Sequence, residues 1–148
     1  MPALTKTPRS LGYLAGSISQ CLSDRLRANF RAAGIDLTHS EYVLLYDLFE
    51  EDGLTQQALA TKVLKDKAAV KRTVDRLVAK GLVRRGAADT TRNNPVLLTE
   101  LARRESSRFR RIAKRTLEEA TEGIDPQALD NCLSVLRSIQ AKLEGGRA

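Results

Sequence analysis

The 148-residue chain contains no tryptophan, one histidine, one methionine, two cysteines, three tyrosines and three phenylalanines. Each scarcity narrows the possibilities. Two cysteines as far apart as Cys21 and Cys132 make neither a disulfide framework nor a zinc site. Both fall in helical patterns, where a free cysteine is expected to act as a small buried apolar group. The lone histidine, His39, stands in a helix's first turn with no partner in view, so it reads as a capping-region residue. No metal-ligand spacing, phosphate loop or nucleophile elbow is present. An enzyme is therefore not expected, and neither is a cofactor or a metal. No run approaches the ~20 apolar residues of a membrane span. Met1 to Arg9 lacks the apolar core of a secretory signal, so a cytoplasmic location is expected.

What the chain has is charge and helix formers. Twenty-five Lys and Arg against 18 Asp and Glu give a formal net charge of +7. Leu, Ala, Arg, Lys and Glu dominate and favour helix over strand. Leu11, Leu14, Ile18, Cys21, Leu22 and Leu26 recur at three- and four-residue steps, predicting a helix from Leu11 to Ala33 that Gly34 stops. Thr38-His39-Ser40-Glu41 is a capping box that opens a second helix, and Asp52-Gly53 closes it. Thr55 caps a short helix from Gln56 to Leu64. Asp66 caps a fourth, which ends at Gly81. Leu82–Gly86 and Val96–Leu98 read as two strands of a hairpin around a small polar loop, with Pro95 at an edge or a strand start. Thr99 caps a long helix to about Thr121. Asp125-Pro126 starts the last, to about Leu143, with Leu129, Leu133, Leu136, Ile139 and Leu143 on one face.

The order short helix, tight link, basic helix, strand, loop, strand predicts a winged helix-turn-helix. The fold class is mainly α with a small β-hairpin wing. A reading lobe over 36–98 is joined to a helical dimerisation region formed by 1–35 and 99–148. On a helical wheel Val70, Val74 and Leu77 point inward, while Ala68, Arg72 and Arg76 point outward. Small Ala68 lets the backbone approach base edges, and Arg72 can offer a bidentate fork to a guanine. Lys67, Lys71 and Arg76 suit phosphates, which position without specifying sequence. Between Lys65 and Arg92 nine basic residues face three acids. That segment therefore carries most of the chain's excess charge, as a nucleic-acid footprint does. The alternative is a winged-helix module that docks proteins. Such a face uses aromatic anchors, and this helix has none. The apolar stripes on the first and last helices are long for so small a chain, and a homodimer through those helices buries them.

Several blocks resemble one family. Leu37-Thr38-His39-Ser40-Glu41-Tyr42-Val43-Leu44-Leu45 and Asp52-Gly53-Leu54-Thr55-Gln56-Gln57-Ala58-Leu59-Ala60 are similar to the opening of the reading domain in MarR-type regulators. Val70-Lys71-Arg72-Thr73-Val74-Asp75-Arg76-Leu77, running on through Val78-Ala79-Lys80-Gly81-Leu82-Val83, resembles the recognition helix and first wing strand. Leu98-Thr99-Glu100 resembles the turn into the long helix. The resemblance implies a homodimeric transcriptional regulator, most often a repressor, whose two lobes reach successive major grooves of a pseudo-palindrome in double-stranded DNA. It implies that Arg92, at the wing tip, enters the minor groove. The chain departs from the family there, with Thr90 where an acid usually stands and Asp89 one place earlier. The resemblance also implies release of DNA by a small aromatic or phenolic effector in a cleft between the dimer helices and the reading domain. Tyr13, Tyr42, Tyr46 and Arg104 are the lining residues it suggests.

Overall fold

Among the described residues of the computed structural model, six helices and one hairpin follow in the predicted order: α1 (Ala3–Ala32), α2 (His39–Glu50), α3 (Gln56–Val63), α4 (Lys67–Ala79), β1 (Val83–Arg85), β2 (Val96–Leu98), α5 (Glu100–Thr121) and α6 (Pro126–Gly145). The structure describes residues 3–63, 65–87 and 94–146, with residues 3–9 as backbone alone. Leu64 and most of the wing loop, including Asp89, Thr90 and Arg92, lie outside the described residues. Two compact units divide the chain, Met1–Leu117 and Glu118–Ala148.

The helix starts follow from local hydrogen bonds. Thr38 Oγ1 accepts from the Glu41 amide at 3.2 Å, and the Glu41 carboxylate accepts from the Thr38 amide at 3.3 Å, completing the capping box. Asp66 accepts from the Ala69 amide at 2.7 Å, Thr99 from that of Ala102 at 3.2 Å and Asp125 from that of Ala128 at 3.0 Å. α4 ends in a Schellman turn. The Leu82 amide reaches the Leu77 carbonyl and the Gly81 amide reaches that of Val78, both at 3.0 Å. Gly81 holds the positive φ of 72° that this turn needs. The first helix starts earlier than its apolar pattern, at Ala3 instead of Leu11.

The core of the first unit is built from α1, α2, α3, α4, the hairpin and α5. Phe30, Leu37, Leu45, Leu59, Val74, Leu77 and Val96 are fully buried. Phe30 meets Tyr42 at 5.7 Å between ring centroids and Phe109, edge-on, at 5.9 Å, so one ring joins α1, α2 and α5. β1 and β2 pair antiparallel, with Val83 opposite Leu98 and Arg85 opposite Val96. Pro95 stands just before β2, as the missing amide requires, and forms an isolated bridge to Thr55. Its carbonyl accepts from the Gly86 amide at 2.8 Å. Asp52 does more than end α2. Its carboxylate accepts from the amides of Gly53 and Leu98 and from Arg103 at 2.8 to 2.9 Å, tying the end of α2 to β2 and α5.

In the second unit no residue of α6 is buried. Leu133, Leu136 and Leu143 of the predicted stripe are exposed, Leu143 by 71%. On α1, Tyr13, Leu14 and Ile18 are exposed as well. The two cysteines correct the sequence reading: Cys21 and Cys132 are both exposed on the single chain. Helical periodicity places each beside an apolar stripe, but among the described residues neither is buried.

Candidate nucleic-acid interface

Helix α4 is seated by its apolar side. Val70, Val74 and Leu77 are buried as the wheel predicts, and Thr73 joins them. The Thr73 hydroxyl donates to the Ala69 carbonyl at 3.1 Å, which satisfies it inside the core. Lys67, Ala68, Lys71, Arg72 and Arg76 are all exposed. The small Ala68 leaves the first turn open beside Arg72.

The cations of this region fall into two sets. The side chains of Arg72, Lys67 and Arg84 make no hydrogen bond or ion pair with another described residue. The others are held. Lys71 Nζ lies 3.0 Å from Asp75 Oδ2, one turn away. Arg85 Nη2, on β1, lies 2.6 Å from Asp75 Oδ1 and 2.9 Å from the Gln56 side-chain oxygen. These hydrogen bonds, Lys71's first and Arg85's second, keep the Asp75 carboxyl below the usual carboxylate range.

Arg76 and Lys80 converge on Glu41. Arg76 Nε is 3.3 Å from Oε1, and Lys80 Nζ is 2.6 Å from Oε2. Arg76 also donates to the Thr73 hydroxyl at 3.1 Å, and Lys80 to the Asp36 carbonyl at 2.9 Å. Glu41 is only 1% exposed. A buried carboxylate is tolerated when cations and hydrogen bonds surround it, as they do here. The pattern reading gave Glu41 a capping role and missed this one. The signal was available: Glu41, Leu44, Leu45 and Leu48 share one helical face, and that face is the buried one. Arg76, assigned to phosphate contact, thus carries an internal partner as well as an exposed surface.

The residues suggested for an effector divide. Tyr42 and Tyr46 come together, with ring centroids 6.3 Å apart. Arg110, which is not among the residues suggested for the effector, stacks over Tyr46 at 5.6 Å and Phe49 at 5.3 Å and pairs with Glu50 at 3.0 Å. Tyr13 is 74% exposed on α1, and Arg104 is exposed on α5. A cavity of about 230 Å³ lies elsewhere, among α2, the end of α3 and α4. His39, Asp47, Lys62, Lys65 and Val70 are among its lining residues.

Residues 37–89 match the model of the MarR family. Over that segment the chain is similar to MarR-family proteins. The MarR match spans α2, α3, α4 and β1, the elements that hold Arg72 outward. Over 137 residues the chain is 20% identical to the uncharacterized HTH-type transcriptional regulator YybA of Bacillus subtilis, covering 92% of this chain and 87% of the relative. It is similar to a MarR-family transcriptional regulator from Silicibacter pomeroyi at 28% identity and a TM-score of 0.71, over 89% of this chain and 88% of that one. Its fold also matches reduced AbfR, solved bound to DNA, with a TM-score of 0.80 at 16% identity, over 97% of this chain and 96% of that one. The winged helix-turn-helix of MarR proteins is therefore the architecture of this chain.

Proposed function

We propose that the chain is a sequence-specific DNA-binding regulator, acting as a repressor, whose α4 enters the major groove. The observation that carries this reading is Arg72. It projects from the exposed face of a helix seated by its other side, beside the small Ala68, and it has no partner among the described residues. A guanidinium with its five donors unspent is suited to the O6 and N7 of a guanine. Lys67, Lys71 and Arg76 contact phosphates in this reading, the last two from within their internal pairs. The family resemblance adds Arg92 in the minor groove.

The functional unit is a homodimer on a pseudo-palindromic operator. Its support is the exposed apolar residues on α1 and on α6, which a second copy would cover. The helices of 1–35 and 99–148 form the dimerisation region in this reading, and 36–98 the DNA-reading lobe. A small aromatic or phenolic ligand, carried by the resemblance and favoured by the Tyr42–Tyr46 pair beside Arg110, is the signal that releases DNA.

Binding to the chain's own upstream DNA across a salt series tests the function. A steep linear fall of log affinity with log salt is expected, with preference over random duplex. Arg72→Ala is expected to cost about 1–3 kcal/mol of discrimination at one base position. Lys67→Ala is expected to weaken all sequences alike. A flat salt response without preference overturns the reading.

A further inference from the structure

We propose that Asp75 is a specificity-determining residue that restrains sequence-blind binding by holding Lys71 and Arg85 in internal ion pairs. The inference rests on the DNA-reading function proposed above. Asp75 is an acid on the exposed face of α4, with 46% of its side chain accessible. A carboxylate there repels phosphates, so by itself it opposes binding. Its two oxygens are used separately: Oδ2 takes Lys71 at 3.0 Å, and Oδ1 takes Arg85 at 2.6 Å. Arg85 is fixed a second time by the Gln56 oxygen, at 2.9 Å from Nη2 and 3.2 Å from Nε. One acid thus joins the reading helix to the first wing strand, and through Arg85 to the start of α3.

The consequence follows from counterion release. Each phosphate neutralised contributes about 0.9 to the slope of log affinity against log salt, whatever the sequence. A freed Lys71 or Arg85 swings on a long side chain and reaches a phosphate in any register. Sequence-blind complexes select among registers, so they gain from both cations. In the specific complex Arg72 fixes the register, and a freed cation gains only if a phosphate lies within its reach there. Restraining the two cations therefore lowers random binding more than specific binding.

The test compares the full-length protein with Asp75→Asn on a random-sequence duplex and on its specific site, each across a salt series. Asp75→Asn is expected to raise random-duplex affinity about 3- to 10-fold near 0.15 M salt, and to steepen the slope by about 1 to 2. Specific affinity is expected to rise less, so the specificity ratio falls. Asp75→Asn combined with Arg85→Gln is expected to recover about 1 of the added slope, which a merely structural role of Asp75 does not foresee. A preserved thermal midpoint and circular dichroism spectrum confirm that the variants fold. If the unsubstituted protein binds its site specifically and Asp75→Asn leaves the random-duplex slope unchanged, this inference alone falls. Equal gains on both duplexes also overturn it. If the unsubstituted protein shows neither salt dependence nor preference, the proposed function falls and takes this inference with it.

Discussion

The ammonium of Lys80, at the end of the reading helix, lies 2.6 Å from the carboxylate of Glu41, in the first turn of α2. Thirty-nine residues separate them in sequence. The pair anchors α4 to the element on which it is seated, and Arg76 binds the other oxygen of the same carboxylate.

Removal of Glu41 is therefore expected to destabilise the fold. Glu41→Ala leaves Arg76 and Lys80 without their shared anion and the Thr38 amide without its acceptor. The loss is expected at about 2–4 kcal/mol, toward the lower side for a broken buried pair because both cations retain some exposure. Glu41→Gln keeps an acceptor for the amide and is expected to lose less. Urea unfolding of the three proteins measures both, and equal stabilities would show that the network contributes nothing.

Phe30 is the aromatic link between α1, α2 and α5, and no part of it is exposed. Phe30→Ala opens a cavity against Tyr42 and Phe109, with an expected cost of about 3–5 kcal/mol. Denaturant titration reads it directly. A loss below about 1 kcal/mol would mean that the three helices do not depend on this ring.

Gly86 faces Pro95 across the hairpin. A Cβ at position 86 stands 2.7 Å from Pro95 Cγ and 3.3 Å from Leu97 Cδ1, and the proline ring has little freedom to withdraw. Gly86→Ala is expected to lower stability by about 1–3 kcal/mol through overpacking. The thermal midpoint checks this, and an unchanged midpoint would mean that the hairpin yields freely.

His39 gives a pH dependence. Burial first, and the neighbouring Lys65 second, hold its pKa below the ordinary value of 6.5. As pH falls, the unfolded chain therefore takes up this proton before the folded one does. Its contribution to stability is complete above about 6.5 and is lost as pH falls through the lower folded value. Between pH 7 and pH 5 the unsubstituted protein should lose more thermal stability than His39→Gln. Equal losses in the two proteins would exclude His39 as a contributor.

Local pattern recovered most of the fold. The starts of α2, α4, α5 and α6 are where their caps place them, because a cap bonds an amide two or three residues ahead and needs no distant partner. The inward side of α4 is also where helical spacing puts it. The site was legible only in part. Spacing shows which cations lie on the outer face, and the structure pairs Lys71 with Asp75 one turn away. Spacing does not show that Arg85 joins that pair, since the contact crosses from helix to strand.

The sequence by itself determined the helices, every helix start but that of α1, the hairpin, the basic concentration around α4 and the family blocks, for these depend on neighbours within a turn or on residue order. Only the tertiary structure decided which of those cations are spent inside the protein. Glu41 takes Arg76 and Lys80, Asp75 takes Lys71 and Arg85, and Arg72 has no partner among the described residues. It also decided that Cys21 and Cys132 are exposed on the single chain. Ion pairing and burial both depend on which surfaces meet, and periodicity marks a face without naming what covers it.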